Sequence, residues 1–313
     1  MKRIKINNCL FELYLQNSEI EKYILNRFRG FVVDKYVEGT NLCILTEEKG
    51  EVCSGNTDPD NITVQKNETI TNYFIGNYAV IRYSENEKKI VLTVNEMPPR
   101  IMQLIAVKLC DIILDFLFQN HIYCMHCGVI VLGDDCNHGI AIIGHSGSGK
   151  TSLTIKLTEK GARLTNDDLA YFTVTDGKMR VVKNTQYIGL DEYNLKNNFS
   201  YLMPYVARES FLDKFRIDLY SYNPLLYVDD VVIDTFCFIS DKRKSCPDIH
   251  VFNVMEACKK ILEISNQFNR GRCTPAYINS VLDICSSSHL YEVVLTPSVS
   301  ESSTYLHKVL YNI

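Results

Sequence analysis

A glycine-rich turn carries the residues of this chain that are best suited to chemistry. Residues 144–151 read GHSGSGKT and fit the pattern G-x-x-x-x-G-K-[ST]. Glycines at these spacings let successive backbone N–H groups point at one anion, while Lys150 reaches the β- and γ-phosphates and the Thr151 hydroxyl holds Mg²⁺. The spacing predicts a site for ATP and Mg²⁺. Its residues are Gly144, Ser146, Gly147, Ser148, Gly149, Lys150, Thr151 and Ser152.

The flanking residues supply the structural context that this motif needs. Residues 139–143 (GIAII) predict a buried strand that enters the turn, and residues 152–160 predict a helix that leaves it and is closed by Gly161. The positive end of a helix dipole at that point favours a bound anion. A strand, the full motif and a helix rarely occur together by chance, so we interpret the turn as a phosphate-binding loop.

Two adjacent carboxylates follow the next predicted strand, residues 162–165. If the strand–helix–strand crossover is parallel, Asp167 and Asp168 lie at the sheet edge that also carries the loop. One acid could then hold Mg²⁺, for which Asp168 is our candidate beside Thr151, and the other could accept a proton from an attacking hydroxyl. The spacing does not decide which acid has which task, and Asn166-Asp167-Asp168 also suits a simple turn or helix cap.

Composition limits the class of protein. The chain has 313 residues, 46% hydrophobic residues, twelve cysteines and a formal net charge of −4, and so lacks the basic excess of most nucleic-acid binders. Residues 1–5 do not lead into the apolar segment of a signal peptide, so we expect a cytoplasmic chain without a membrane anchor and with reduced cysteines. Cys124 and Cys127 form a C-x-x-C pair in a predicted buried strand, where a zinc or redox role is the minor alternative.

Two domains are expected. Residues 1–98 are rich in predicted strands (4–6, 10–15, 42–45, 78–83 and 89–94) and contain a turn-rich stretch at 56–61. Pro98-Pro99 precedes an apolar helix over 101–119, in which three charged residues disfavour a transmembrane span. After residue 122 strands and helices alternate, with a strand over 127–132, the turn 133–135, strands within 181–182, 228–239 and 291–295, and helices over 252–265 and 300–311. We therefore predict a strand-rich scaffold or recognition domain (1–98) and an α/β domain with a mixed sheet (99–313).

The central segment resembles the HPr serine kinase family, and most closely its branch associated with peptide modification. The resemblance covers roughly residues 124–175: MHCGVIVL at 125–132, then the loop, then EKGARLTNDD at 159–168, with Lys160 at a position where the family has Arg. It implies a core of the HPr kinase and phosphoenolpyruvate carboxykinase type. It also implies that Lys150 and Thr151 bind nucleotide and Mg²⁺, that Asp167 or Asp168 is base or metal ligand, and that His126 lines the phosphate site. Without the resemblance, a lone histidine at the start of a strand is more often structural.

One departure from that family concerns the acceptor. A glycine-rich signature of the R-G-L-G type is not found after this core, and the nearest segment is 185–192 (TQYIGLDE). HPr itself is thus in doubt as the substrate, and phosphorylase activity has no support. Asp191 and Glu192 are either metal ligands or a helix start.

Other charged segments could contact phosphate. Residues 214–216 (KFR) and 269–272 (NRGR) are candidates, although surface charge is the commoner explanation, and residues 241–244 (DKRK) are expected to form a solvated loop. The expected activity is transfer of the γ-phosphoryl group of ATP to a serine or threonine hydroxyl of a peptide or protein. A small-molecule hydroxyl kinase and a non-catalytic nucleotide-binding regulator remain alternatives, and self-association is left open.

Overall fold

The computed structural model describes residues 1–33, 41–50, 52, 62–133, 138–182, 187–207, 214–266 and 271–311. The predicted turn-rich stretch 56–61, the acids of the turn 133–135 and residues 269 and 270 lie outside the described residues. The chain divides into two compact units, Met1–Asn120 and His121–Ile313.

Within its described residues, the first unit contains an eight-stranded mixed sheet and two α-helices. Strands β2, β4 and β8 run parallel to one another, whereas the remaining pairs are antiparallel. All five strands predicted for residues 1–98 occur. In the order β3-β1-β2-β4-β8-β7-β6-β5, the strands are β1 (Lys2–Ile6), β2 (Cys9–Tyr14), β3 (Val32–Val33), β4 (Asn41–Lys49), β5 (Ile62–Lys66), β6 (Ile70–Ile75), β7 (Ala79–Ser84) and β8 (Lys89–Val94).

Helices α1 (Ser18–Arg27) and α2 (Pro99–Gln119) belong to this unit. Phe116 of α2 packs against Phe11 of β2 with ring centroids 5.3 Å apart, and the Tyr83 hydroxyl of β7 donates to Gln119 at 3.0 Å. Because α2 buries its apolar face on this sheet, the division of the chain falls after Asn120 and not at Pro98-Pro99, where the sequence had placed it. Among the described helices, none is both long and apolar enough to cross a bilayer.

The second unit is also mixed α/β. Its main sheet has the order β10-β9-β12-β13-β16-β18-β17, with β11 on β9; β14 and β15 form a separate pair. The strands are β9 (Tyr123–Val131), β10 (Gly139–Ile143), β11 (Arg163–Asn166), β12 (Leu169–Thr175), β13 (Lys178–Val182), β14 (Tyr187–Leu190), β15 (Phe215–Asp218), β16 (Asp230–Arg243), β17 (Asp248–Val251) and β18 (His289–Leu295). The helices are α3 (Lys150–Thr158), α4 (Glu192–Asn197), α5 (Leu219–Tyr222), α6 (Val254–Asn266), α7 (Pro275–Ser286) and α8 (Val299–Leu310).

Strand β9 organises this unit. It is buried along its whole length and begins at Tyr123. The sequence had placed His126 at the start of this strand, but His126 lies inside it. Strands β10 and β11 pair antiparallel with the same residues of β9, and therefore lie on its two sides and run in the same direction. The crossover from β10 to β11 is therefore parallel, the condition under which the acids were placed beside the turn, and β9 lies between its two strands.

Candidate functional site

The glycine-rich turn joins the buried strand β10 to helix α3, as predicted. Gly147 has φ +79° and Gly149, the residue before the helix, has φ +100°, a left-handed region in which side chains other than glycine are strained. His145, Ser146 and Gly147 are exposed at the tip of the turn. The pattern of glycines thus serves the backbone path of the turn.

Lys150 points back into this turn. The residue is only 7% exposed, and its ammonium donates to the carbonyl oxygens of Gly144 at 2.7 Å and His145 at 2.9 Å. Burial lowers the pKa of Lys150, an effect that the nearby carboxylates of Asp167 and Asp168 oppose. The turn therefore wraps around a partly desolvated cation, whose pull on an anion is stronger than it would be in open water.

Asp167 lies against the first turn of α3. Its carboxylate accepts from the Thr151 hydroxyl, at 3.1 Å to Oδ1 and 3.3 Å to Oδ2, and from the backbone N–H of Gly189 in β14. Burial, reinforced by the negative charge of Asp168, raises the pKa of Asp167 to about 6. Our candidate partner for Thr151 had been Asp168, but the structure puts Asp167 in that position.

The Asp168 side chain lies beside a different partner from that of Asp167. The N–H of Leu169 donates to the Asp167 carbonyl at 3.2 Å, and Asp168 between them has φ +79°, the backbone of a strained γ-turn. The Asp168 side chain is 66% exposed, and its Oδ1 lies 3.2 Å from Nδ1 of the buried His126. Burial and the charge of Lys150 lower the pKa of His126 to about 4, so the imidazole is neutral at pH 7.

The pairing of β9 explains how these groups meet. Residues 163–166 and then 169–172 pair along the same strand, and Asp167-Asp168 interrupts that ladder opposite Cys127 and Gly128. His126 is paired with Leu169, directly beside the interruption. The acids form a bulge-like turn at the carboxyl end of β11, across β9 from the carboxyl end of β10, where the glycine-rich turn begins.

Arg243 was missed by the sequence interpretation. We expected a solvated loop at 241–244, but β16 continues to Arg243, whose Nη2 donates to the Ser148 carbonyl at 2.5 Å. Residues 241–243 are all charged and exposed, so no apolar pattern in the sequence indicated that the strand extends this far. Its approach to the turn depends on pairing with β10, which lies far away in the sequence.

The charged residues proposed at 185–192 and 214–216 as metal ligands or phosphate contacts have different surroundings. Asp191 caps α4 by accepting from the Asn194 N–H at 2.8 Å, and Glu192 pairs with Lys196, so these acids start a helix. Lys214 is exposed, and its positive charge lowers the pKa of His126, Lys150 and Asp167. Lys214 therefore lies on the same side of the unit as these three residues.

The structure does not support a zinc or redox role for the pair Cys124 and Cys127. Cys124 and Cys127 are both buried and part of β9, and burial raises the pKa of the Cys127 thiol to about 12. Within the described residues no group of three or more His, Cys, Asp or Glu side chains could hold a metal ion. A thiol this hard to ionise is a poor nucleophile and a poor metal ligand.

Comparison with known proteins finds likeness only at the level of structure. No family model matches the sequence, and no curated protein matches it. Among solved structures, the HPr(Ser) kinase/phosphatase from Coxiella burnetii is similar to this chain with a TM-score of 0.35 and 11% identity, over 61% of this chain and 89% of that one. The topology makes the chain a mixed α/β protein, and any assignment of activity depends on the site.

Proposed function

We propose that this chain is an ATP- and Mg²⁺-dependent phosphotransferase with a P-loop core, and that it transfers the γ-phosphoryl group to a hydroxyl. One observation supports this above the others: Lys150, Thr151, Asp167, Asp168 and His126 meet at one sheet edge, beside the N-terminus of α3. A cation and a helix N-terminus suit phosphate, and carboxylates beside them suit a metal ion and a proton.

The donor set fits Mg²⁺. The Thr151 hydroxyl and the Asp167 carboxylate are 3.1 Å apart and are hard oxygen ligands. Magnesium in phosphotransferases is typically held by one or two protein oxygens together with phosphate oxygens and water, which agrees with the small number of acids here. When bound, the ion would neutralise charge on the phosphates; Thr151 and Asp167 would hold it.

Asp168 is the better candidate for the base. It is exposed enough to meet an acceptor, whereas Asp167 is buried and engaged by Thr151. In the transfer step the acceptor oxygen bonds to the γ-phosphorus, the bond from phosphorus to the β–γ bridging oxygen breaks, ADP leaves with that electron pair, and the hydroxyl proton passes to Asp168. General-base assistance of this kind supplies about 10²- to 10⁴-fold in rate.

His126 would orient the base. A neutral imidazole with its proton on Nδ1 can donate to Asp168, and the low pKa of His126 keeps the ring neutral at pH 7. Lys150 would bind the β- and γ-phosphates after exchanging its bonds to the turn carbonyls for bonds to phosphate oxygens. Positioning and charge neutralisation would then account for most of the rate.

For the acceptor we propose a serine or threonine hydroxyl of a peptide or protein, held with the help of the first unit. That unit offers the exposed strand β5 at one end of its sheet order, where an extended partner could add as a further strand. A small-molecule hydroxyl and a purely regulatory role are the competing outcomes.

Calorimetry with ATP·Mg²⁺ tests the proposal. We expect wild type to bind, Lys150→Ala to lose most of that binding, and Lys160→Ala, just beyond the end of the same helix, to bind as wild type does. Mass spectrometry of candidate acceptors with ATP then looks for the gain of one phosphate. Absence of binding by wild type contradicts the proposal, and binding without transfer to any acceptor favours the regulator.

A further inference from the structure

Arg243 reaches the glycine-rich turn from the end of the longest described strand. β16 is parallel to β10 on one side and to β18 on the other, and its pairing with β18 shifts register between Ile239 and Arg243. This shift comes just before the residue whose Nη2 lies 2.5 Å from the Ser148 carbonyl oxygen. The strand thereby delivers a charged donor to the backbone of the turn from outside it.

The contact fixes one peptide unit of the turn. A trans peptide is planar and its C=O and N–H point in opposite directions, so a donor on the Ser148 carbonyl turns the Gly149 N–H away from Arg243. Gly149 also has φ +100°, a conformation that glycine adopts freely. Because glycine restricts the backbone dihedrals least, a hydrogen bond that fixes this peptide unit has a large effect on its orientation. The Gly149 N–H is one of the N–H groups at the start of α3 that have no partner within the helix.

Arg243 is committed to this bond. Among the described residues no carboxylate forms an ion pair with it, and its one hydrogen bond is the one to Ser148. A guanidinium holds a planar donor geometry and stays charged at every working pH, which suits it to hold a carbonyl in one orientation. Lys242, its neighbour on the strand, is exposed and has no contact with the turn among those the structure defines.

We infer that Arg243 is a positioning residue of the phosphate loop, and that it acts by holding the Ser148 carbonyl so that the Gly149 N–H faces the phosphates of bound nucleotide. This inference rests on the proposed nucleotide site. It assigns to Arg243 no direct contact with the γ-phosphate. The bond is made to a backbone carbonyl of the turn, so its contribution should be the same for a diphosphate and a triphosphate.

Nucleotide affinities of two Arg243 variants test this role. Titration calorimetry of wild type, Arg243→Gln, Arg243→Lys and the control Lys242→Gln would use ATP·Mg²⁺ and ADP·Mg²⁺ as ligands. Loss of one charge-assisted hydrogen bond should weaken both nucleotides by about tenfold in Arg243→Gln. Arg243→Lys retains a charged donor and should recover part of the loss, while Lys242→Gln should match wild type.

A second measurement separates positioning from general stability. Hydrogen exchange in peptides covering residues 144–151 should speed up in Arg243→Gln, while the thermal unfolding midpoint stays at the wild-type value. Wild-type affinity in Arg243→Gln, a loss confined to ATP, or an equal loss in Lys242→Gln would each overturn the inference. Failure of the wild type to bind either nucleotide would instead overturn the proposed function, and the inference with it.

Discussion

Asp167 and Asp168 are neighbours in the chain but face different partners. The Asp167 carboxylate accepts from Thr151 at 3.1 Å, whereas Oδ1 of Asp168 lies 3.2 Å from Nδ1 of His126. Asp168, with its positive φ, forms the turn between β11 and β12, and the two strands continue in the same direction along β9. One buried and one exposed acid therefore stand at the same edge, in surroundings that give them different properties.

This division predicts different losses for Asp167→Asn and Asp168→Asn. Asp168→Asn should keep ATP·Mg²⁺ affinity and lose turnover by about 10²-fold or more, because only the proton acceptor is removed. Asp167→Asn should lose affinity for ATP in the presence of Mg²⁺ and change little in its absence. Calorimetry with and without Mg²⁺, together with initial rates of ADP release, distinguishes these patterns.

The matched control for these substitutions is Asp176→Asn. Asp176 is exposed and also has a positive φ, of 52°, but it lies in the turn between β12 and β13. We expect wild-type binding and rates from it. Near-normal turnover in both site variants would show that neither acid takes part in transfer.

Replacement of Asp168 by glycine should separate backbone strain from chemistry. Strained conformations of this kind cost on the order of 1–3 kcal/mol, and glycine adopts a positive φ without that cost. Asp168→Gly should therefore raise the free energy of unfolding relative to Asp168→Asn, while both variants lose turnover. Urea denaturation of the two proteins at pH 7.5 measures the difference. Equal stabilities would mean that the γ-turn is not strained.

The pH dependence of stability should report the buried His126. The pKa of this residue falls from 6.5 to about 4 on folding, so the unfolded chain binds more protons between these values. The histidine therefore contributes stability above pH 6.5 that is lost as pH falls towards 4, by up to roughly 3 kcal/mol. His126→Gln should remove this slope, which urea denaturation at several pH values would reveal.

Asp167 acts in the opposite direction within an overlapping window. Its pKa rises from 3.8 to about 6, so the folded chain binds more protons there and stability from this group falls as pH rises from 4 to 6. The total slope of wild type is consequently small, and the difference between wild type and His126→Gln isolates the histidine. A difference that does not vary with pH would contradict the assigned pKa of His126.

The sequence predicted those parts of the site that local pattern determines. The strand, the glycine-rich turn and the helix follow from consecutive residues, and the parallel crossover placed the acids at the correct edge. Pairing across the sheet could not be read in this way: β9 lies between β10 and β11, β16 extends to Arg243, and β14 brings the Gly189 N–H to Asp167. Each of these contacts joins residues distant in sequence, which a period of apolar residues does not specify.

The observed division of the chain differs from the predicted one for a similar reason. Pro98-Pro99 correctly predicted the start of helix α2, but a helix start is not a domain boundary. The apolar face of α2 is covered by the first sheet, through contacts such as that of Phe116 with Phe11. Composition showed that the helix was buried without showing which sheet covers it.

Close packing of α3 on β9 should make the protein sensitive to a side chain at position 128. A Cβ at this position would lie 2.7 Å from Thr154 Oγ1, a buried hydroxyl without a hydrogen-bond partner within the described residues. Gly128→Ala should destabilise the protein by about 1–3 kcal/mol through overpacking. Thr154→Ala alone should cost little stability, because the Thr154 hydroxyl makes no hydrogen bond within the described residues that could be lost.

The double variant completes the argument. Because Thr154→Ala removes the atom that the new methyl group would meet, Gly128→Ala with Thr154→Ala should recover most of the lost stability, a coupling measurable as a double-mutant cycle in urea. Additive losses would show that the obstacle at Gly128 is something other than the Thr154 hydroxyl.

Cutting the chain at the observed boundary should separate nucleotide binding from recognition of the acceptor. All five site residues, from His126 to Asp168, belong to the unit His121–Ile313, so a soluble fragment 121–313 should bind ATP·Mg²⁺ with wild-type affinity by calorimetry. If residues 1–120 hold a peptide acceptor, the fragment should phosphorylate the same peptide with a raised KM and a similar kcat. An unchanged KM would assign the first unit to a scaffold role, and transfer to free metabolites alone would show that the acceptor is not a peptide. Loss of ATP·Mg²⁺ binding in a fragment that remains folded would mean that the nucleotide site needs residues from both units.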